Sequence, residues 1–93
     1  MTDSRGWIVR ATAGRDRDGL FCVVGADQEG KRLLLADGKR RRYACPKAKD
    51  PRHVKPLTGE FGHPAIQKLR QGEPLSDREL RRALAAFRDQ LEV

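Results

Sequence analysis

The sequence predicts a mostly β fold with C-terminal helices: a small five-stranded antiparallel barrel followed by one or two helices. Short apolar runs separated by turn residues fill the first 57 residues, which is typical of a small barrel. After Thr58 the composition changes, and apolar residues recur at helical spacing. Ninety-three residues allow one domain, so we place the barrel at 1–57 and a helical extension at 58–93.

The clearest local signal is a hairpin formed by the first two strands. Residues 7–13 and 20–26 are apolar runs, and residues 14–19 between them alternate charges and begin and end with glycine. A six-residue loop is too short for a crossover helix, so the strands are expected to be antiparallel neighbours. Arg15 and Arg17 must face water or a polyanion, because an unpaired charge is costly to bury.

This hairpin resembles the KOW motif of small SH3-like barrels in ribosomal and transcription-elongation proteins. The loop Gly-Arg-Asp-Arg-Asp-Gly and the later Leu-Leu-Leu-Ala-Asp-Gly at 33–38 are most similar to the fourteen-e group of large-subunit ribosomal proteins. They are also similar to short bacterial KOW-domain RNA-binding proteins. The resemblance covers about residues 5–57, with Gly19 at the signature glycine. It implies an SH3-like (KOW) barrel in translation, with ribosomal or other structured RNA and ribosomal proteins as partners.

Three further strands are expected in the barrel. Residues 31–36 centre on three leucines, and the Asp-Gly pair at 37–38 is a hairpin signal. Residues 40–45 are predicted to form the fourth strand, which Pro46 would end. Residues 52–57 are predicted to form a short fifth strand or an extended edge that closes the barrel.

Two helices are expected in the extension. Residues 63–72 form a short helix that stops at Gly72. A second helix is predicted at about 77–91, because Ser76 and Glu79 form a capping box at its start. Its apolar stripe consists of Leu80, Leu84, Phe87 and Leu91. This stripe must bury against the barrel, the first helix or a partner.

The positive charge of the chain is concentrated in one segment. Residues 39–55 contain eight basic residues and one acidic residue, Asp50, so this window holds the whole net charge of +7. The other residues contain twelve of each sign. Such clustering is the footprint of a polyanion-binding surface, although a solvated loop is the alternative. The residues predicted to bind RNA are Arg15, Arg17, Lys39, Arg40, Arg42, Tyr43, Lys47, Lys49, Arg52 and Lys55.

Two rings are candidates for stacking on bases. Trp7 opens the first strand, and Tyr43 follows three consecutive arginines. Trp7 can instead cover the barrel, and Tyr43 can pack in the core or at its rim. With five aromatic residues in all, we expect phosphate contacts to dominate, so that shape rather than base identity is recognised. If 40–45 is a strand, Arg40 and Arg42 share a face and Arg41 lies opposite.

Catalysis and metal binding find little support in the sequence. Neither histidine has a neighbouring nucleophile pattern, and there is no phosphate loop, nucleotide fingerprint or acidic metal cluster. Cys22 is expected in the core and Cys45 on either face, both as free thiols without zinc-ligand spacing. Asp16 and Asp18 alternate with arginines, so internal pairing explains them better than metal binding. We therefore predict no enzyme activity, no metal and no cofactor.

The sequence leaves two classes of function open. No apolar run reaches the ~18 residues of a membrane span and no signal segment is present, so we expect a cytoplasmic monomer with no membrane partner. The favoured function is RNA binding through the basic barrel surface, with DNA as a related ligand. The alternative is a protein-interaction adaptor that uses the barrel or the amphipathic C-terminal helix.

Overall fold

The computed structural model describes residues 4–58 and 61–91. One antiparallel sheet, in the order β4-β3-β2-β1-β5, is followed by two helices. The strands are β1 (Ile8–Ala11), β2 (Leu20–Ala26), β3 (Leu33–Ala36), β4 (Lys47–Lys49) and β5 (Val54–Thr58). The helices are α1 (Pro64–Arg70) and α2 (Asp77–Leu91). Five antiparallel strands followed by two helices confirm the predicted fold class.

The sheet curls into a partly open barrel, with β4 and β5 as its two edges. Strands lie about 4.8 Å apart, so the edges of a flat five-stranded sheet would be roughly 19 Å apart. The link between them is Asp50 and the 3-10 turn Pro51–His53, which advances only about 2 Å per residue. The edges must therefore approach each other. Lys49 Nζ crosses toward β1 and donates to the carbonyl oxygen of Ala13 at 2.7 Å.

Both faces of the sheet are buried along β1 and the first half of β2, which explains why the β2 sequence is apolar without alternation. The interior cluster fills the curled sheet and consists of Val9, Ala11, Phe21, Val23, Leu35 and Val54. The helix-side cluster joins the other face to the helices, and its strand residues are Ile8, Leu20, Cys22 and Ala36. The register of β1 and β2 agrees with this division into two clusters. Ile8 lies opposite Cys22 in the helix-side cluster, and Val9 lies opposite Phe21 in the interior cluster.

The helical extension packs on the sheet within the same molecule. Three residues of the predicted stripe, Leu80, Leu84 and Phe87, are buried in the helix-side cluster, while Leu91 at the end is 47% exposed. Burying each large apolar side chain contributes about 1.5–3 kcal/mol, more than any cap. The capping box also forms: Glu79 N donates to Ser76 Oγ at 3.1 Å, and Ser76 N donates to Glu79 Oε1 at 3.3 Å.

The predicted fourth strand at 40–45 is wrong. This segment belongs to a ten-residue loop, and β4 begins after Pro46 instead of ending there. The cause is Asp37, whose Oδ1 accepts hydrogen bonds from the backbone N–H groups of Lys39 and Arg41, both at 2.9 Å. A side chain that satisfies the backbone in this way replaces the ladder of a strand. The alternation expected for Arg40 to Arg42 therefore does not arise.

The other predicted boundaries need smaller corrections. The strand predicted at 7–13 spans only Ile8–Ala11, and the strand predicted at 31–36 begins at Leu33. The fifth strand begins at Val54 rather than Arg52, because the side chain of Asp50 accepts from Arg52 N and starts the 3-10 turn. Strand β2 and both helices lie where the sequence predicts them.

The ion pair between Lys68 on α1 and Glu79 on α2 gives a pH-dependent test of the helix pair. Its atoms are 2.9 Å apart, and the hydrogen bond from Lys68, aided by Ser76, lowers the pKa of Glu79 below its ordinary value of 4.5. A lowered pKa means that the ionised carboxylate stabilises the fold above the ordinary value and loses this contribution as the pH falls through the folded value.

We therefore expect Glu79→Gln to lower the melting temperature at about pH 7, with the difference from wild type shrinking as the pH falls below 4.5. Glutamine mimics the protonated acid, so the two proteins converge in acid. Thermal denaturation monitored by circular dichroism across this range measures the effect. Asp89→Asn, an exposed change on the same helix, is the control. A difference that stays constant with pH would contradict the role given to the ion pair.

Candidate nucleic-acid interface

The loop between β3 and β4, residues 37–46, is fastened to the first turns of α2. Gly38 has φ +77°, and a Cβ at this position would overlap the carbonyl oxygen of Asp77. Arg81 Nη1 donates to the carbonyl oxygen of Gly38 at 2.6 Å, and the backbone N–H of Tyr43 donates to Asp77 Oδ1 at 2.7 Å. The loop is therefore held on both sides of its basic residues.

A partly buried ion pair fastens the same loop to the β1–β2 loop. Arg41 Nη2 lies 3.0 Å from Asp16 Oδ2, and Asp16 is only 8% exposed. Among the described residues, Arg41 Nε is the one buried side-chain nitrogen or oxygen without a hydrogen-bond partner. Asp16 thus pairs with an arginine, as expected, but with a distant one rather than its chain neighbours. Arg41 is a structural residue.

An open groove of about 340 Å³ lies where the two loops meet α2. Its cationic lining residues come from three elements: Arg15 and Arg17, Lys39 and Arg40, and Arg81 and Arg88. Of the two carboxylates in the lining, Asp16 pairs with Arg41, while Asp37 accepts backbone N–H groups and keeps its negative charge, so the six cations outnumber the unpaired acid. None of the six cations takes part in an ion pair between described residues. The groove therefore presents unneutralised positive charge.

The groove brings together four of the ten residues predicted to bind RNA: Arg15, Arg17, Lys39 and Arg40. The other six, Arg42, Tyr43, Lys47, Lys49, Arg52 and Lys55, do not line it. Lys49 Nζ donates to the carbonyl oxygen of Ala13, and Arg52 Nε lies 3.4 Å from Asp50 Oδ2. Tyr43 is half-buried against the helix-side cluster. The remaining three are exposed elsewhere on the surface.

Sequence reasoning missed Arg81 and Arg88. They are seven residues apart on α2, a spacing that places both on one helix face. The spacing of seven could be read from the sequence. However, basic and acidic residues balance in the segment around Arg81 and Arg88, so no excess of positive charge distinguished it. Only the docking of α2 beside the two loops brings them to the groove.

Trp7 lies at a separate, mainly apolar cavity of about 530 Å³. The ring packs on the interior cluster, and Val9, Leu33, Val54 and Pro56 also line this cavity. The basic groove contains one aromatic residue, Phe21, which is only 3% exposed. Neither of the predicted stacking rings therefore reaches the groove.

The cysteines, the metal-ligating side chains and the length of the helices bear on other kinds of function. Burial raises the pKa of the Cys22 thiol to about 12, which keeps it protonated and unreactive, and Cys45 is exposed. No group of three or more metal-ligating side chains occurs within residues 4–58 and 61–91. Neither described helix is long and apolar enough to cross a membrane.

The close approach of Gly38 to α2 can be tested against a matched glycine. Gly72 has nearly the same conformation, φ +79°, but nothing lies near a Cβ added there. Gly72→Ala should therefore lower the free energy of unfolding only through the left-handed strain, by about 1 kcal/mol. Gly38→Ala adds an overlap with backbone atoms, so we expect it to lower the free energy of unfolding by about 3 kcal/mol or more. Urea unfolding measures both, and equal losses would contradict the close contact.

Comparison with known proteins adds no relative. No protein-family model matches this chain, and a search of curated proteins finds no match. The resemblance of residues 5–57 to KOW proteins therefore rests on the hairpin and loop residues alone. What the chain does has to be argued from the groove.

Proposed function

We propose that this protein binds RNA through the basic groove, by contacts to the phosphate backbone. The supporting observation is the convergence of six cationic side chains from two loops and a helix, which outnumber the two carboxylates of the lining, one of them paired with Arg41. A polyanion supplies the charge that the groove lacks. The resemblance of the hairpin to KOW proteins favours RNA as that polyanion.

Phosphates rather than bases are the expected contacts. Five of the six cations are arginines, whose planar guanidinium group offers two parallel donors to phosphate oxygens. No exposed ring lines the groove, so it lacks a platform on which an unpaired base can stack. Recognition is therefore expected to follow the shape of a folded RNA more than its sequence.

The adaptor alternative uses either the C-terminal helix or the barrel. The apolar face of α2 is buried in the molecule, so the helix does not offer a docking surface, and one observation favours the barrel. The apolar cavity beside Trp7 remains open, and a partner's apolar side chain fits its lining. Trp7→Ala should leave RNA binding intact under the proposed function.

The dependence of RNA binding on salt is the first test. If about four to six phosphates are neutralised, log K should fall with log salt at a slope of roughly −3 to −5. Fluorescence anisotropy with a labelled RNA hairpin at several salt concentrations gives the slope. Affinity that does not change with salt, or no binding to RNA at low salt, would contradict the proposal.

A set of paired substitutions locates the binding surface. Arg15→Gln with Arg40→Gln removes two exposed groove cations, and we expect roughly a tenfold loss of affinity if each lost contact costs on the order of 1 kcal/mol. Arg78→Gln with Arg82→Gln is the control, because both residues are exposed on α2 outside the groove. This control has the same charge change and should lose much less.

A third pair separates the groove from the basic window of the sequence. Arg42 and Arg52 belong to the 39–55 window but do not line the groove. Replacing both with glutamine should resemble the control pair. If this pair instead weakens binding as much as the Arg15 and Arg40 pair, the window and not the groove is the binding surface. Melting curves must first show that each variant folds.

A further inference from the structure

Asp77 lies behind the basic groove and does not line it. Its Oδ1 accepts the backbone N–H of Tyr43 at 2.7 Å, and its own carbonyl oxygen contacts Gly38. These two contacts fall on either side of Lys39 and Arg40, the two cations through which the β3–β4 loop lines the groove. The first residue of α2 therefore holds the loop on both sides of these cations.

The loop also has restraints of other kinds. Ten residues separate β3 from β4, and within them Asp37 Oδ1 accepts from the backbone N–H groups of Lys39 and Arg41. Arg81 holds Gly38 from the same helix, and Arg41 pairs with Asp16 on the opposite side. Arg81 is itself a groove cation, so weaker binding after its removal could come from the lost charge or from the released loop. Asp77 carries no positive charge and does not line the groove, so weaker binding after its removal would come from the released loop.

We propose that Asp77 is a positioning residue for polyanion binding, which its carboxylate promotes by holding the β3–β4 loop so that Lys39 and Arg40 face the groove. The inference rests on the proposed function. It gives the helical extension a role in the site, because the loop that supplies two groove cations is held by α2. It also assigns a favourable role to an acidic residue beside a positively charged groove, as a hydrogen-bond acceptor.

Simple electrostatics predicts the opposite sign. An acidic residue near a site for phosphates repels them, so its removal should strengthen binding if charge alone matters. If Asp77 acts as a hydrogen-bond acceptor that places the loop, removal should weaken binding. Asparagine separates the two effects, since its amide oxygen keeps the acceptor and removes the charge.

The experiment measures the affinity of the full chain for an RNA hairpin at fixed salt. We expect Asp77→Ala to weaken binding about fivefold, which corresponds to about 1 kcal/mol. Asp77→Asn should stay within about twofold of wild type, by the same conversion. Unchanged or tighter binding by Asp77→Ala would overturn the proposal, and so would equal losses in the two variants. Should Asp77→Ala not fold, Asp77→Glu replaces it, because it keeps the charge and displaces the acceptor. It should then bind more weakly than wild type, which carries the same charge, and equal binding would overturn the proposal.

Amide hydrogen exchange gives a readout that does not depend on RNA. The Tyr43 amide should be protected in wild type and in Asp77→Asn, and should exchange faster in Asp77→Ala. Fast exchange in wild type would overturn the positioning role whatever the RNA result. If wild type shows this protection but binds no RNA, the proposed function fails while the docking of the loop stands.

Discussion

The contact between Gly38 and the first turn of α2 is the constraint on which the basic groove depends. Only a residue without a Cβ lets the two backbones approach this closely, and the left-handed φ at Gly38 directs the chain back toward the sheet. Because α2 is in turn held by the helix-side cluster, the loop inherits the rigidity of the core. Together with the Arg41–Asp16 ion pair, this contact makes the basic loop one wall of a defined surface.

The groove also depends on the partly buried ion pair between Arg41 and Asp16, which has a structural role. Arg41 and Asp16 join the two loops, and removing either partner would leave the other charge partly buried without compensation. Three consecutive arginines thus divide their roles. Arg40 faces the groove, Arg41 fastens the loop, and Arg42 remains in solvent elsewhere. A run of like residues in sequence is not a uniform surface in the fold.

Much of the fold follows from local sequence signals. The extent of β2 and of α2 could be predicted, because an apolar run between turn residues and a capping box act over a few residues. The fourth strand could not, since Asp37 competes for backbone N–H groups that a propensity argument assigns to a ladder. The groove could not be predicted either, since two of its six cations lie on α2, and Arg81 contacts Gly38 although 43 positions separate them in the sequence.

The distribution of charge shows why a sequence window does not locate a groove. All of the net charge lies in residues 39–55, and this window predicts a polyanion as the class of ligand. The field at a surface, however, depends on which charges stay unpaired and where the elements place them. Lys49 lies inside the basic window but outside the groove, whereas Arg88, from a helix with four arginines and three acidic residues, lines it. The candidate site is therefore a product of tertiary docking, and the helical extension is as much a part of it as the hairpin is.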